Sequence, residues 1–148
     1  MKRYISYMMI GACLLIAGGC KKKNKEEIYP KFPPPAWTNE ATGKYTSSMT
    51  AVVKLPNNLD KSYQASDELA AFIGEECRAV AEVVEVAGER LFYLLIQGEP
   101  SADSQIRFRY YSTSSSYIYH SDNILNFSID GSYGNADQPV TLALKPDK

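Results

Sequence analysis

Three cysteines and one histidine carry the most reactive side chains in this 148-residue chain. Cys13 and Cys20 lie in its apolar N-terminal stretch, which leaves Cys77 and His120 for the remainder. A nucleophilic thiol needs a neighbouring base or cation to lower its pKa. No spacing ties His120 to Cys77, so Cys77 is expected as a small buried hydrophobe. The many serines, Asp122 and His120 supply the residue types of a Ser-His-Asp site, yet no motif sets a serine beside His120. Acidic residues are plentiful, but a chain this short offers little room for the deep cleft of a glycoside hydrolase. A zinc site takes about four His or Cys ligands, more than Cys77 and His120 provide. Asp60, Asp67, Asp122, Asn123, Asp130, Asn135 and Asp137 offer the oxygen ligands calcium prefers. No Asp-x-Asp-x-Asp-Gly spacing organises them, and Asx residues in turns commonly bond their own backbone. The expectation is a protein without catalytic residues, metal or cofactor.

Aromatic residues are the better lead. Tyr110, Tyr111, Tyr117, Tyr119 and Tyr133 gather around one predicted hairpin and the loop after it, with His120 adjacent. Tyrosine faces stack on sugars or peptides, and their hydroxyls add directional bonds. Alternation sets Tyr111 on one strand face with Arg107 and Arg109. The candidate ligand-binding residues are therefore Arg107, Arg109, Tyr111, Tyr117, Tyr119 and His120, with a glycan or a protein as ligand. The competing reading is ordinary cross-strand tyrosine pairing, with the arginines balancing an acidic domain.

Those residues need strands to hold them. Tyr45, Ser47, Met49, Ala51, Val53 and Leu55 share one face of an extended segment, and Thr46, Ser48, Thr50 and Lys54 the other. Pro56-Asn57-Asn58 stops it, and a polar loop follows to Asp67. Glu68 to Ile73 reads as a strand, Gly74-Glu75 as a turn, and Glu76 to Val86 as one further strand. Ala87-Gly88-Glu89 turns the chain into Arg90 to Gln97, the most apolar run after the N-terminus, expected as a central strand covered on both faces. Gln105 to Ser112, Tyr117 to His120, Ile124 to Ile129 and the Val140-Leu142-Leu144 segment complete the pattern. No helical stripe persists over three turns. Strands this short and regular predict an all-β, antiparallel β-sandwich of about seven to nine strands.

The first twenty residues have a different character. Lys2 and Arg3 precede an apolar stretch from Ile5 to Ile16, and Ala17-Gly18-Gly19 lead into Cys20. The stretch is short for a transmembrane helix and has the length of a signal-peptide core. It resembles a bacterial lipoprotein signal peptide, although Ala17 stands where that signature usually has Leu. The resemblance implies removal of residues 1–19 and lipid on Cys20, so that the chain is anchored in a membrane without a transmembrane helix. Residues 20–36 then form a tether, stiffened by Pro30, Pro33, Pro34 and Pro35 and carrying a net charge of +3. Residues 37–148 form the sandwich domain, with a net charge of −6 that disfavours nucleic acid. Cys77 alone remains in it, so no internal disulfide is expected. Trp37 is expected to pack on the first strand or the rim below it. Lys25-Glu26-Glu27 resembles acidic signals that send some lipoproteins to the outer surface, but three lysines come first. The expected location is the outer membrane, with either face open.

A second resemblance lies in Asp67-Glu68-Leu69-Ala70-Ala71-Phe72-Ile73-Gly74-Glu75-Glu76-Cys77-Arg78-Ala79-Val80-Ala81. It is similar to a module of secreted and surface proteins of Gram-negative anaerobes: an acidic residue, a strand ending in Ala-Phe, a Gly turn, Cys-Arg-Gly and a second strand. Leu91 to Gln97, Ile106 to Tyr111 and Pro139 to Leu144 match its later strands, so the likeness covers roughly residues 45 to 145. Ala79 stands where the module usually has Gly. The resemblance implies an immunoglobulin-like sandwich with an adhesive or accessory role. It implies no activity, since fold does not fix function. An alternative role is a structural envelope lipoprotein that assembles with a larger partner.

Overall fold

Alternation decides the first strand. Met49, Ala51 and Val53 of β1 (Ser47–Lys54) are buried on one face, and Leu55 just beyond it joins them. The computed structural model describes residues 27–101 and 104–148. The expected cleavage after residue 19 and the lipid on Cys20 lie outside those residues. After β1 come a single helical turn, α1 (Asn57–Asp60), and the strands β2 (Glu68–Ile73), β3 (Glu76–Val80), β4 (Glu82–Val86) and β5 (Glu89–Gly98). These are followed by β6 (Gln105–Ser112), β7 (Tyr117–Ser121), β8 (Leu125–Asn126), β9 (Ser132–Tyr133), β10 (Val140–Thr141) and β11 (Leu144–Pro146).

Two sheets pack face to face. One runs β10-β1-β5-β4, with β9 also on β1; the other runs β11-β7-β6-β2-β3, with β8 on β6. The core between them is one cluster. It takes Met49, Ala51 and Val53 from β1 and Phe92, Leu94 and Ile96 from β5. Facing them are Leu69 and Ala71 of β2 and Ile106, Phe108 and Tyr110 of β6. Alternate residues of four strands supply this layer, as a sandwich requires.

Several boundaries differ from the expectation. Glu76 to Val86 is not one strand: β3 belongs to the six-stranded sheet and β4 to the other, with the break at Ala81. Burial ends there: Cys77, Arg78 and Ala79 of β3 are buried, whereas every residue of β4 is exposed. The Val140–Leu144 segment divides likewise, β10 pairing with β1 and β11 with β7. Strands that switch sheets make the corners of a sandwich. The Ile124–Ile129 segment keeps only the two residues of β8, and α1 occupies part of the expected polar loop, with Leu59 in the core. Pairing is mixed, since β9 and β10 both lie parallel to β1. The described residues thus hold eleven strands. β5 is central in its sheet but not covered throughout, for Leu95 is 56% exposed. Ala79 sits in β3 with its side chain buried and without a positive φ, so Gly is not required there.

The proline-rich segment crosses the outer face of the six-stranded sheet. The Phe32 N–H donates to the Ser116 carbonyl at 2.8 Å. The Trp37 N–H donates to Glu68 Oε2 at 3.1 Å, and its indole meets the Phe72 ring edge-on at 5.6 Å. The Glu40 N–H donates to the Cys77 carbonyl at 3.0 Å. Trp37 therefore packs on β2, not on β1, and closes a second apolar cluster of Ala70, Phe72 and Cys77. Proline lacks an amide donor, so this strap crosses the sheet through side chains and isolated backbone bonds rather than as another strand.

Candidate functional site

The alternation of β6 points Ile106, Phe108 and Tyr110 into the core and turns Arg107 and Arg109 outward. Register then fixes their neighbours. Phe72 of β2 lies opposite Arg107, and His120 of β7 lies opposite Arg109. Gly74, with φ +59°, makes the tight turn between β2 and β3, a conformation glycine adopts without steric cost. The turn projects Glu75 toward β6. Arg109 Nη2 donates to Glu75 Oε2 at 2.8 Å, and the guanidinium lies 4.3 Å from the centre of the Phe72 ring. Arg109 holds the Glu75 carboxyl below its usual range through that hydrogen bond and its charge.

Gly74, Glu75, Gln105, Arg107, Arg109 and His120 line an open concavity of about 390 Å³. His120 Nε2 lies 3.1 Å from Asp147 Oδ2. Beyond it on the neighbouring strand, Lys145 pairs with Asp122. Arg107 makes no ion pair among the described residues. The concavity thus presents one unpaired cation, one cation already held by a carboxylate, an imidazole and an amide. Such a set has the donors and acceptors to hold a polar ligand; its lining contains no nucleophile beside a base.

Arg107, Arg109 and His120 line this one concavity. The three tyrosines do not join them. Tyr111 is 2% exposed beneath the strap, and its hydroxyl donates to the Phe32 carbonyl at 3.2 Å. A surface patch combining Tyr111 with Arg107 and Arg109 is therefore absent, because residues far ahead in the chain cover the ring. Tyr117 is half-buried and meets Tyr29 edge-on at 5.6 Å. Tyr119 is half-buried, with its ring 6.0 Å from that of Tyr110, its cross-strand partner. Tyr133 stacks on Phe108. These contacts match the tyrosine pairing that stabilises sheets. Glu75 and Gln105 were not among the sequence candidates. The Gly74-Glu75 turn was visible, but which strand its carboxylate would face was not.

Other reactive groups are engaged elsewhere. Cys77 is 2% exposed, and burial pushes its thiol up to about 11. Asp67 accepts from the Tyr110 hydroxyl at 2.5 Å and from the Thr113 N–H at 2.7 Å. Asn135 accepts from the Asp137 and Gln138 amides, and Asn123 from the Ala143 amide. Loop Asx residues are thus bonding the chain itself. Among the described residues no group of three or more His, Cys, Asp or Glu is placed to hold a metal ion. A second concavity of about 460 Å³ lies beside Tyr93, Leu95 and Gln97 of β5, where β4 no longer pairs with it. No helix among the described residues is long and apolar enough to cross a membrane. No protein-family model, curated protein or solved structure matches this chain.

Proposed function

We propose that this protein is a lipid-anchored, extracytoplasmic binding or adhesion module of the outer membrane, with lipid on Cys20 and an immunoglobulin-like sandwich as its working part. The observation that carries the reading is the convergence of Arg107, Arg109, Gln105, Glu75 and His120 on one open concavity. β6 runs from this concavity at Gln105 to Ser112, beside the hairpin tip that receives Phe32. The strand is eight residues long, roughly 25 Å, so Gln105 and the tip that receives Phe32 lie at its opposite ends. The proposed role is non-enzymatic: the Cys77 thiol is buried, and the lining beside His120 holds no hydroxyl or thiol that could act as a nucleophile.

The test has two parts. Mass spectrometry of protein extracted from membranes should find an acylated N-terminal Cys20, and Cys20→Ala should move the protein out of the membrane fraction. A glycan and protein-ligand array probed with the detergent-extracted full chain should then give binding that Arg107→Ala abolishes. A non-acylated N-terminus would remove the anchor, and array binding indifferent to Arg107 would remove the site.

One observation favours the second role, a structural lipoprotein within a larger complex. Val83, Val84 and Val86 of edge strand β4 and Leu95 of β5 are exposed together on one sheet. Exposed apolar edges are pairing sites. Crosslinking in intact cells that joins β4 to one defined partner, with a fixed stoichiometry, would favour that role over the concavity.

A further inference from the structure

We infer that the concavity takes an acidic saccharide, whose carboxylate pairs with Arg107. The inference rests on the proposed reading of this concavity as a binding site.

Charge is the first argument. Arg109 is already neutralised by Glu75, and His120 faces Asp147. Arg107 is the exposed cation of the lining without an ion-pair partner among the described residues. It stands out in a domain of net −6. A guanidinium presents a planar fork that matches a carboxylate with two parallel hydrogen bonds.

Pairing narrows the anion. Glu75 is taken up by Arg109, so the lining leaves one unpaired guanidinium, which balances a monoanionic carboxylate and not a dianionic phosphate.

The remaining lining narrows the ligand body. Gln105 and Glu75 offer acceptors, and Gln105, Arg109 and His120 offer donors. These suit a hydroxyl-rich body. No exposed aromatic or aliphatic side chain lines the concavity, whereas folded protein partners draw much of their affinity from desolvated apolar anchors. The Phe72 ring nearby is capped by Arg109. A volume of about 390 Å³ lies at the small end of ligand clefts, which fits a monosaccharide or disaccharide unit rather than a folded partner. Arg109, held by Glu75 on one side and the Phe72 ring on the other, is a positioning residue that sets the wall against which the sugar lies.

The test titrates the full chain, in detergent, with a uronic-acid disaccharide, its methyl ester, a neutral disaccharide, an acidic peptide and inorganic phosphate. The uronate should bind, and esterification should weaken it about 10- to 100-fold, the range of a lost charge-assisted pair. Arg107→Gln should weaken it equally without moving the thermal midpoint, because the side chain is exposed. Arg107→Lys should recover only part. Neutral sugar binding as tightly as uronate, or uronate binding unchanged in Arg107→Gln, would overturn the inference. If Gln105→Ala and His120→Ala nevertheless weakened neutral-sugar binding, the concavity would stand as the site. Selective binding of the acidic peptide or of phosphate would also overturn the inference and leave the binding-module reading intact. No binding of any probe would remove both.

Discussion

At the scale of single residues, Asp67 ties three separate segments together. It accepts from the Tyr110 hydroxyl, from the Gln64 amide of the loop before β2, and from the Thr113 amide of the β6–β7 turn. Burial and the bond to Asp67 raise the Tyr110 pKa far above its ordinary value. Tyr110→Phe leaves a buried carboxylate short of one donor. It should cost about 1–3 kcal/mol, measured by chemical denaturation. Glu76 illustrates a pH effect. Hydrogen bonds from Lys44, and then from Tyr45, hold its pKa down, with Arg78 adding its charge. A depressed carboxylate contributes stability above its unfolded pKa and loses it as pH falls through the folded value. Between pH 5 and pH 3, Glu76→Gln should therefore lose thermal stability less steeply than the wild type, read as Tm against pH. An equal slope would deny that Glu76 contributes. Cys77 was legible from sequence, since an isolated thiol among apolar neighbours packs as a hydrophobe. The burial of Tyr111 was not, because its cover, Phe32, lies 79 residues away and leaves no local pattern.

At the scale of elements, the strap changes how the N-terminal segment acts. Proline content suggested a free spacer from residue 20 to residue 36. Instead, contacts at Tyr29, Phe32, Trp37 and Glu40 fasten its described part to the six-stranded sheet. From Cys20 to Tyr29 the chain takes nine residue steps, spanning at most about 32 Å. Trp37→Ala removes the ring that closes the cluster of Ala70, Phe72 and Cys77. It should cost about 2 kcal/mol and quicken alkylation of Cys77 in the folded protein; a thiol as slow as in the wild type would contradict the strap as its cover. Strand positions were largely legible, and β2 and β6 match the expected ranges. Sheet membership was not. Alternation reports which face of a strand is apolar, whereas the partner it joins depends on pairing distant in sequence. That is why Glu76–Val86 and Val140–Leu144 each read as one strand yet serve both sheets. The turn between β4 and β5 was readable from Gly88 in Ala87-Gly88-Glu89; Ala87 and Gly88 both take positive φ, as a type I′ hairpin turn requires.

At the scale of the whole molecule, charge and geometry suggest a division. The N-terminal segment is basic and the domain acidic, and the concavity at the far end of β6 places positive charge where the domain is otherwise negative. Which side of the membrane the domain occupies is read by protease shaving of intact cells: loss of the domain would place it outside, and protection would place it in the periplasm. The central claim is narrower, that the concavity and not the tyrosine cluster is where ligand binds. The most direct measurement compares Arg107→Ala and Tyr117→Ala on one ligand array with the detergent-extracted full chain. Binding lost in Arg107→Ala and kept in Tyr117→Ala is the predicted result. Binding kept in Arg107→Ala and lost in Tyr117→Ala would contradict it.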